Sequence, residues 1–283
     1  DVELGGQVIL AVADRNPGAA RAAAADLANA MWRWRHRFRS TLPSIDEALD
    51  AVLRSPEARP FVLGDQGDRV LAGAPGDGNA ILRRVLERGL DLRMAVPVTD
   101  PEAVSVTRSA GVGAEITLSI GGKLTPGFEP LTVTVRVVHL SDGHFVMRGP
   151  FLAGQESALG ETAVVEIGRV KVMLTSTGGF TQDVAAFTSQ GIDPAQQDVI
   201  VSKSGHHFKL SFAGIATPLV VGSPGLARYT QGAFPFVRRR PVWPEDAIDL
   251  PEVVPALFGR VVTMPAGGTP PLRRLSQAQG SST

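Results

Sequence analysis

No cysteine occurs in the 283 residues. Disulfide staples and thiolate metal sites are therefore excluded, and with them the small secreted scaffold that needs cross-links for want of a core. Histidine is scarce too: His36, His139, His144, His206 and His207 are the only five. None stands in an HExxH helix, and the three or four convergent ligands of a tetrahedral zinc site are not visibly supplied. Neither sign of charge prevails, because Lys plus Arg and Asp plus Glu both number 28. The scattered arginines, in RWRHRFR and in RRR at 238–240, form no aromatic-interleaved basic patch, so a nucleic-acid role is disfavoured. There is no apolar run of membrane-spanning length, and no charged start leading through a hydrophobic stretch to a cleavage site. The expectation is a cytoplasmic protein with neither membrane nor nucleic acid among its partners. The first residue is Asp1, not methionine, and a buried-looking strand follows almost at once, so the expected product extends upstream.

Hydrophobic residues make up 43% of the chain and charged residues 20%, enough apolar surface for one large or two modest domains. QVILAVAD (7–14) reads as a strand buried on both faces, and 17–37 carries apolar residues at helical spacing. Ser44 is placed to cap a second helix, with Glu47 three residues on reaching back to close a capping box. PFVLGD is a short buried strand, 79–88 a helix stopped by Gly89, 90–96 a third strand, and 101–110 a helix entered through Asp100 and Pro101. This alternation predicts an α/β fold, a mostly parallel sheet flanked by helices.

From Ala114 the texture becomes β-rich and antiparallel: EITLSIGGK, LTVTVRVVHL, a hairpin turn at SDGH leading into FVMRG, and a hairpin about Gly168 and Arg169. The α/β rhythm then returns, with 181–190 helical, DVIVSK a strand, HFKLSFAG a short helix and IATPLVVG a closing strand. The section at 114–175 is thus expected as an insertion or second layer within one domain spanning 1–230. A Pro- and Arg-rich extension occupies 231–283, and its end, from Thr263, reads as a flexible tail or an arm crossing onto a partner.

The glycine-rich stretch GDQGDRVLAGAPGDGN (64–79) lacks the lysine and Ser/Thr of a P-loop, and it has neither the spacing nor the helix-facing glycine of a dinucleotide fingerprint. Asp77, at the start of a helix, would also repel the phosphate that such a loop binds. Two readings stay open. Asp65, Asp68 and Asp77 converge on a cation or a substrate amino group, or Asp77 caps the helix and Asp65 the strand exit. Asp142 and His144 read as a surface turn. TSTGGF (175–180) follows a strand, so the hydroxyls of Ser176 and Thr177 and the backbone N–H groups could meet a carboxylate or an oxyanion, or simply cap a turn. KSGHHF (203–208) repeats the arrangement: Lys203 could neutralise a carboxylate and His207 could donate a hydrogen bond, or the segment is a capped helix with Phe208 in the core. Three polar loops at strand ends suggest a ligand crevice.

The succession LAGAPGDGNAILRRVLERG, DPEAV, AGVGAEITLSIGGK, DGHFVMRGP, LGETAVVEIGRVKVMLTS, GIDPAQQDVIVSKSGHHFKLSF and RPVWPED resembles the C-terminal region of the microcystinase C (MlrC) family of zinc metallopeptidases, over most of 8–246. Lys203, Ser204, His207 and Phe208 match one family element, and Arg240, Pro241, Trp243 and Pro244 another. In the glycine loop Asp68, Gly73, Gly76 and Asp77 match, whereas Arg69, Val70 and Leu71 replace Asn and small residues. Gly222 and Ser223 stand where an acid usually precedes Pro-Gly. The resemblance implies a zinc-dependent hydrolase of small peptides whose zinc ligands lie in an N-terminal metal-binding domain that this chain lacks. That domain and a small peptide would be its partners, and self-association into a homo-oligomer is compatible. The chain itself would supply substrate-binding residues only, namely Asp68, Gly76, Asp77, Ser176, Thr177, Lys203, Ser204 and His207, with no catalytic residue and no metal ligand. The competing expectation is a non-catalytic small-ligand-binding or assembly module.

Overall fold

A computed structural model describes residues 1–3, 5–38, 41–228, 230–249, 253–259 and 273–274. Contacts divide the chain into a unit of 41–230 and a unit of 1–40 with 231–283. In chain order the elements are α1 (Pro17–Trp34), α2 (Ile45–Arg54), β1 (Phe61–Asp65), α3 (Ala80–Glu87), β2 (Met94–Thr99), α4 (Pro101–Ala110), β3 (Glu115–Ile120), β4 (Leu131–Ser141), β5 (His144–Val146) and β6 (Glu156–Ala158). They continue as β7 (Thr162–Ile167), β8 (Val170–Thr175), α5 (Val184–Thr188), β9 (Val199–Ser202), α6 (Phe208–Ser211), β10 (Thr217–Val221), β11 (Phe258–Gly259) and β12 (Arg273–Arg274).

The larger unit is an α/β domain around one eight-stranded sheet, ordered β10-β1-β9-β2-β8-β7-β4-β3. The five strands from β10 to β8 run parallel, and β7, β4 and β3 continue the sheet in antiparallel pairing. The β-rich section is therefore the sheet's own extension rather than a second layer, apart from the small β5–β6 pair. The expected hairpin across SDGH does not form: β4 pairs with β3 and β7, and β5 turns away to pair with β6. Alternation along each strand builds two cores. Leu63, Val96, Val98, Val172, Leu174 and Val201 face one side, with Leu49, Leu82 and Val104 of α2, α3 and α4. Val62, Ala95, Met173 and Ile200 face the other, with Phe187 of α5, Phe208 of α6 and Phe212 just beyond it. A sheet covered on both faces needs strands apolar on both faces, which is what these sequences supply.

Local signals set the helix boundaries. Ser44 and Glu47 close the capping box on α2, and Asp100 caps α4 ahead of Pro101. The third strand starts and ends later than its apolar run suggests, at Met94–Thr99. It contains Pro97, and its ladder to β9 stops at Ala95 while that to β8 passes the proline; a residue without an N–H is tolerated where the ladder has ended. The helix expected at 181–190 is confined to Val184–Thr188.

In the smaller unit α1 is capped by Asn16, and the carboxylate of Asp1 accepts N–H bonds from Val237, Arg238 and Arg239. Arg240 pairs with Asp246, and β11 pairs antiparallel with β12. The strand expected at 7–14 is absent: 7–13 belongs to no strand and Val8, Leu10 and Val12 are exposed. The tail expected as flexible from Thr263 lies outside the described residues apart from Arg273–Arg274. Among the described residues no helix is long and apolar enough to cross a membrane.

Candidate functional site

The carboxyl ends of the parallel strands carry the polar loops. β1 ends in Asp65, β9 runs into Lys203 and Ser204, β8 into Ser176 and Thr177, and β10 into Gly222 and Ser223. Those of β1, β9 and β10 meet in a buried cluster centred on the ammonium of Lys203, a residue 4% exposed. It donates to Asp65 Oδ2 at 2.8 Å and to the Gly78 carbonyl at 2.6 Å, and it lies 2.8 Å from Asp68 Oδ2. An ammonium has three donors, and all three are used. Burial opposes its charge, but Asp65 and Asp68 outweigh burial and hold Lys203 well above the ordinary lysine value.

The carboxylates are anchored in turn. Asp68 accepts from Gly76 N at 3.0 Å and Gly78 N at 2.7 Å. Asp65 accepts from the Ser223 hydroxyl, which itself accepts from Gly67 N at 2.8 Å. Two carboxylates facing one ammonium leave an excess of negative charge inside the protein, and burial, abetted by Asp65, raises Asp68 above the usual carboxylate range against the pull of Lys203. One buried cluster thus ties β1, β9, the end of β10 and the 66–78 loop together.

Of the three aspartates for which convergence and capping both stood open, Asp65 and Asp68 converge, and the amino group they meet is the chain's own. Asp77 goes elsewhere and does not cap α3. Its carboxylate accepts from Leu124 N at 2.7 Å, Thr125 N at 3.0 Å and the Thr125 hydroxyl at 2.5 Å. Asn79 holds the N-cap position of α3 without a side-chain capping bond, because its amide donates to the carbonyls of Ile120 and Glu129. Asp100 holds the same 121–125 loop through Gly121 N, at 2.8 Å, and Lys123.

Two glycines are required by close approach. A Cβ on Gly64, inside β1, would collide with the Phe208 ring and lie 2.7 Å from the Ser204 carbonyl. Gly76 has φ +84°, and a Cβ there would lie 2.8 Å from Thr99 Oγ1.

The other expected residues have different freedoms. Ser176 N and Thr177 N already donate to the carbonyls of Glu161 and Leu159. Those amides are therefore taken; the Ser176 side chain is half-buried and that of Thr177 exposed. The turn abuts the glycine loop, since a Cβ on Gly178 would lie 3.0 Å from the Pro75 carbonyl. Ser204 is buried and its hydroxyl has no partner. His207 is half-buried and stacks on Phe151, ring centroids 4.2 Å apart. His144 lies exposed beside Asp142 in a surface turn. An open groove of about 580 Å³ lies between the starts of α2 and α3 and the 127–129 loop, and it takes in Asn79, Gly222 and Pro224 but none of Ser176, Thr177, Lys203, Ser204 or His207.

Among the described residues no three His, Asp, Glu or Cys side chains gather as a metal site requires, so the donors present do not fit a zinc ion. Ser223 is the member of the cluster that the sequence reading left out, and Asp65, one of the three aspartates weighed for convergence, was not among the substrate-binding residues expected. The signal for Asp65 is a carboxylate on the last residue of a buried strand; Ser223 carries none beyond its place after β10.

The model of the MlrC C-terminus matches residues 63–238, which is more than half of the chain and contains the whole buried cluster. The chain belongs to the MlrC C-terminal family. This MlrC-type chain is 24% identical over 252 residues to Microcystinase C of a Sphingomonas species, covering 88% of the chain and 48% of that protein. A crystal structure of a candidate metallopeptidase from Mesorhizobium sp. BNC1 superposes with a TM-score of 0.79 at 37% identity, over 84% of the chain and 48% of its counterpart. The MlrC-type chain thus spans about half the length of both relatives.

Proposed function

We propose that this chain is the C-terminal half of an MlrC-type metallopeptidase, a hydrolase of small peptides. In this reading it shapes a substrate crevice along the carboxyl edge of its sheet, while the metal and its ligands belong to the other half. The observation that carries the reading is the family match lying across a carboxyl edge built around a saturated ion cluster. Lys203 is spent inside the protein, so its part is positioning: it fixes the loop of Asp68, Gly76 and Asp77 against β9. Contact with a peptide then falls to groups that remain approachable, the hydroxyls of Ser176 and Thr177 and the imidazole of His207 on Phe151. Such groups orient a substrate by hydrogen bonds without taking part in bond cleavage.

The test uses this chain joined behind the part of the Mesorhizobium protein that it does not match, assayed on short linear peptides with and without a chelator. Thr177→Val and His207→Ala should each raise KM by roughly tenfold, as for one lost hydrogen bond of about 1.4 kcal/mol, with kcat little changed. Unchanged KM in both variants would remove these residues from the crevice. The rival reading, a non-catalytic ligand-binding or assembly module, draws on the amides of Ser176 and Thr177 being already occupied. It predicts that the joined protein hydrolyses nothing.

A further inference from the structure

The segment QVILAVA (7–13) contradicts its own composition. Every residue after Gln7 is apolar, with Val8, Leu10 and Val12 set on one face of an extended chain and Ile9, Ala11 and Ala13 on the other. That is the pattern of a strand covered on both faces. Yet Val8 is 87%, Leu10 83% and Val12 88% exposed, and among the described residues 7–13 joins no ladder. The helix that follows has the same fault: α1 has 18 residues and buries none, and Leu27 is 53% exposed. A strand pattern followed by a well-capped helix is half of a βαβ unit, and such a half is stable only against a sheet that accepts its strand.

We infer that residues 7–34 form a strand–helix unit of another domain's sheet: 7–13 adds as a strand to the open edge of an α/β sheet carried by the other half of an MlrC-type protein, and α1 covers that sheet's face. Three observations select this occupant. The family match begins at residue 63, downstream of the unit. It is described as the C-terminus of the family protein, so the remainder precedes it. Both relatives carry about half of their length outside the matched part, 48% of each being covered, which is length enough for a domain with its own sheet. The inference rests on the two-half reading above and names the segment that joins the halves.

The absence of cysteine makes a clean probe. Val12→Cys gives the chain a single thiol, and its maleimide labelling rate is measured in the isolated chain and in the chain joined behind the unmatched part of the Mesorhizobium protein. Labelling should slow by at least ~100-fold in the joined protein, the protection of a strand that opens only by local unfolding. Adding Leu10→Asp should restore fast labelling there. If the cysteine variant does not fold, amide exchange of 7–13 in the unsubstituted proteins gives the same comparison. Equal rates in the two proteins would overturn the inference. So would protection in the isolated chain that grows with its concentration, since that would assign the edge to a second copy. Peptide hydrolysis by the same joined protein reports separately: protection without hydrolysis sinks the proposed function alone, and hydrolysis without protection sinks the strand docking alone.

Discussion

At the scale of single residues the account turns on Lys203. Removing one partner of a buried ion cluster leaves charge that nothing compensates, so Lys203→Met should lower stability by about 3–5 kcal/mol in urea denaturation. Lys203→Met combined with Asp68→Asn should lose less, because one of the stranded carboxylates is gone. The pH dependence has a definite sign. Lys203 is raised above its unfolded value of 10.5, so its contribution is fully present below that pH and declines as pH rises beyond it. Unfolding midpoints taken across the alkaline range should fall for the native chain and change less for Lys203→Met. Asp68 is also raised, and its protonated form favours the folded state, so its contribution is present in acid and is lost as pH climbs through its folded-state value. Ser223→Ala, which removes a donor to Asp65 and an acceptor for Gly67 N, should cost about 1–3 kcal/mol in the same measurement. The sequence shows Asp65, Asp68 and Lys203 as polar residues near strand ends. It does not show that they meet, because β1 and β9 are far apart in the chain and neighbours in the sheet. Asp77 marks the same limit: capping is a local pattern, and the peptide groups of 124–125 that it serves lie far along the chain.

At the scale of elements, most of what was readable was local. Ser44 with Glu47, Asp100 with Pro101, and Gly89 after α3 set helix ends where cap chemistry alone puts them. Ser44→Ala should accordingly lower the urea midpoint by an amount worth about 1 kcal/mol, with Glu47→Ala no worse. The parallel strands were legible as runs apolar on both faces, and β2 was displaced only because Pro97 looks like an end when it sits where one ladder has stopped. Pairing was less legible. SDGH has the composition of a hairpin, but β5 finds β6 instead, since β7 already occupies the far side of β4. Gly64→Ala offers a test of how tightly α6 is seated on β1. The added methyl must displace the Phe208 ring, with an expected loss of about 1–3 kcal/mol by urea denaturation.

At the scale of the whole molecule, the α/β domain of 41–230 has its own sheet and two cores, and the family match falls almost wholly within it. Among the described residues no side chains gather as metal ligands, Lys203 is consumed internally, and Val8, Leu10 and Val12 of the first apolar segment are exposed. The proposal that this polypeptide provides walls and position for chemistry housed in the other half is tested at this scale. The most direct test compares hydrolysis of short linear peptides by this chain alone with hydrolysis by the same chain joined to the unmatched half of its Mesorhizobium relative. The account predicts no turnover by the first and chelator-sensitive turnover by the second. Equal turnover by both, or none by the joined protein, would contradict it.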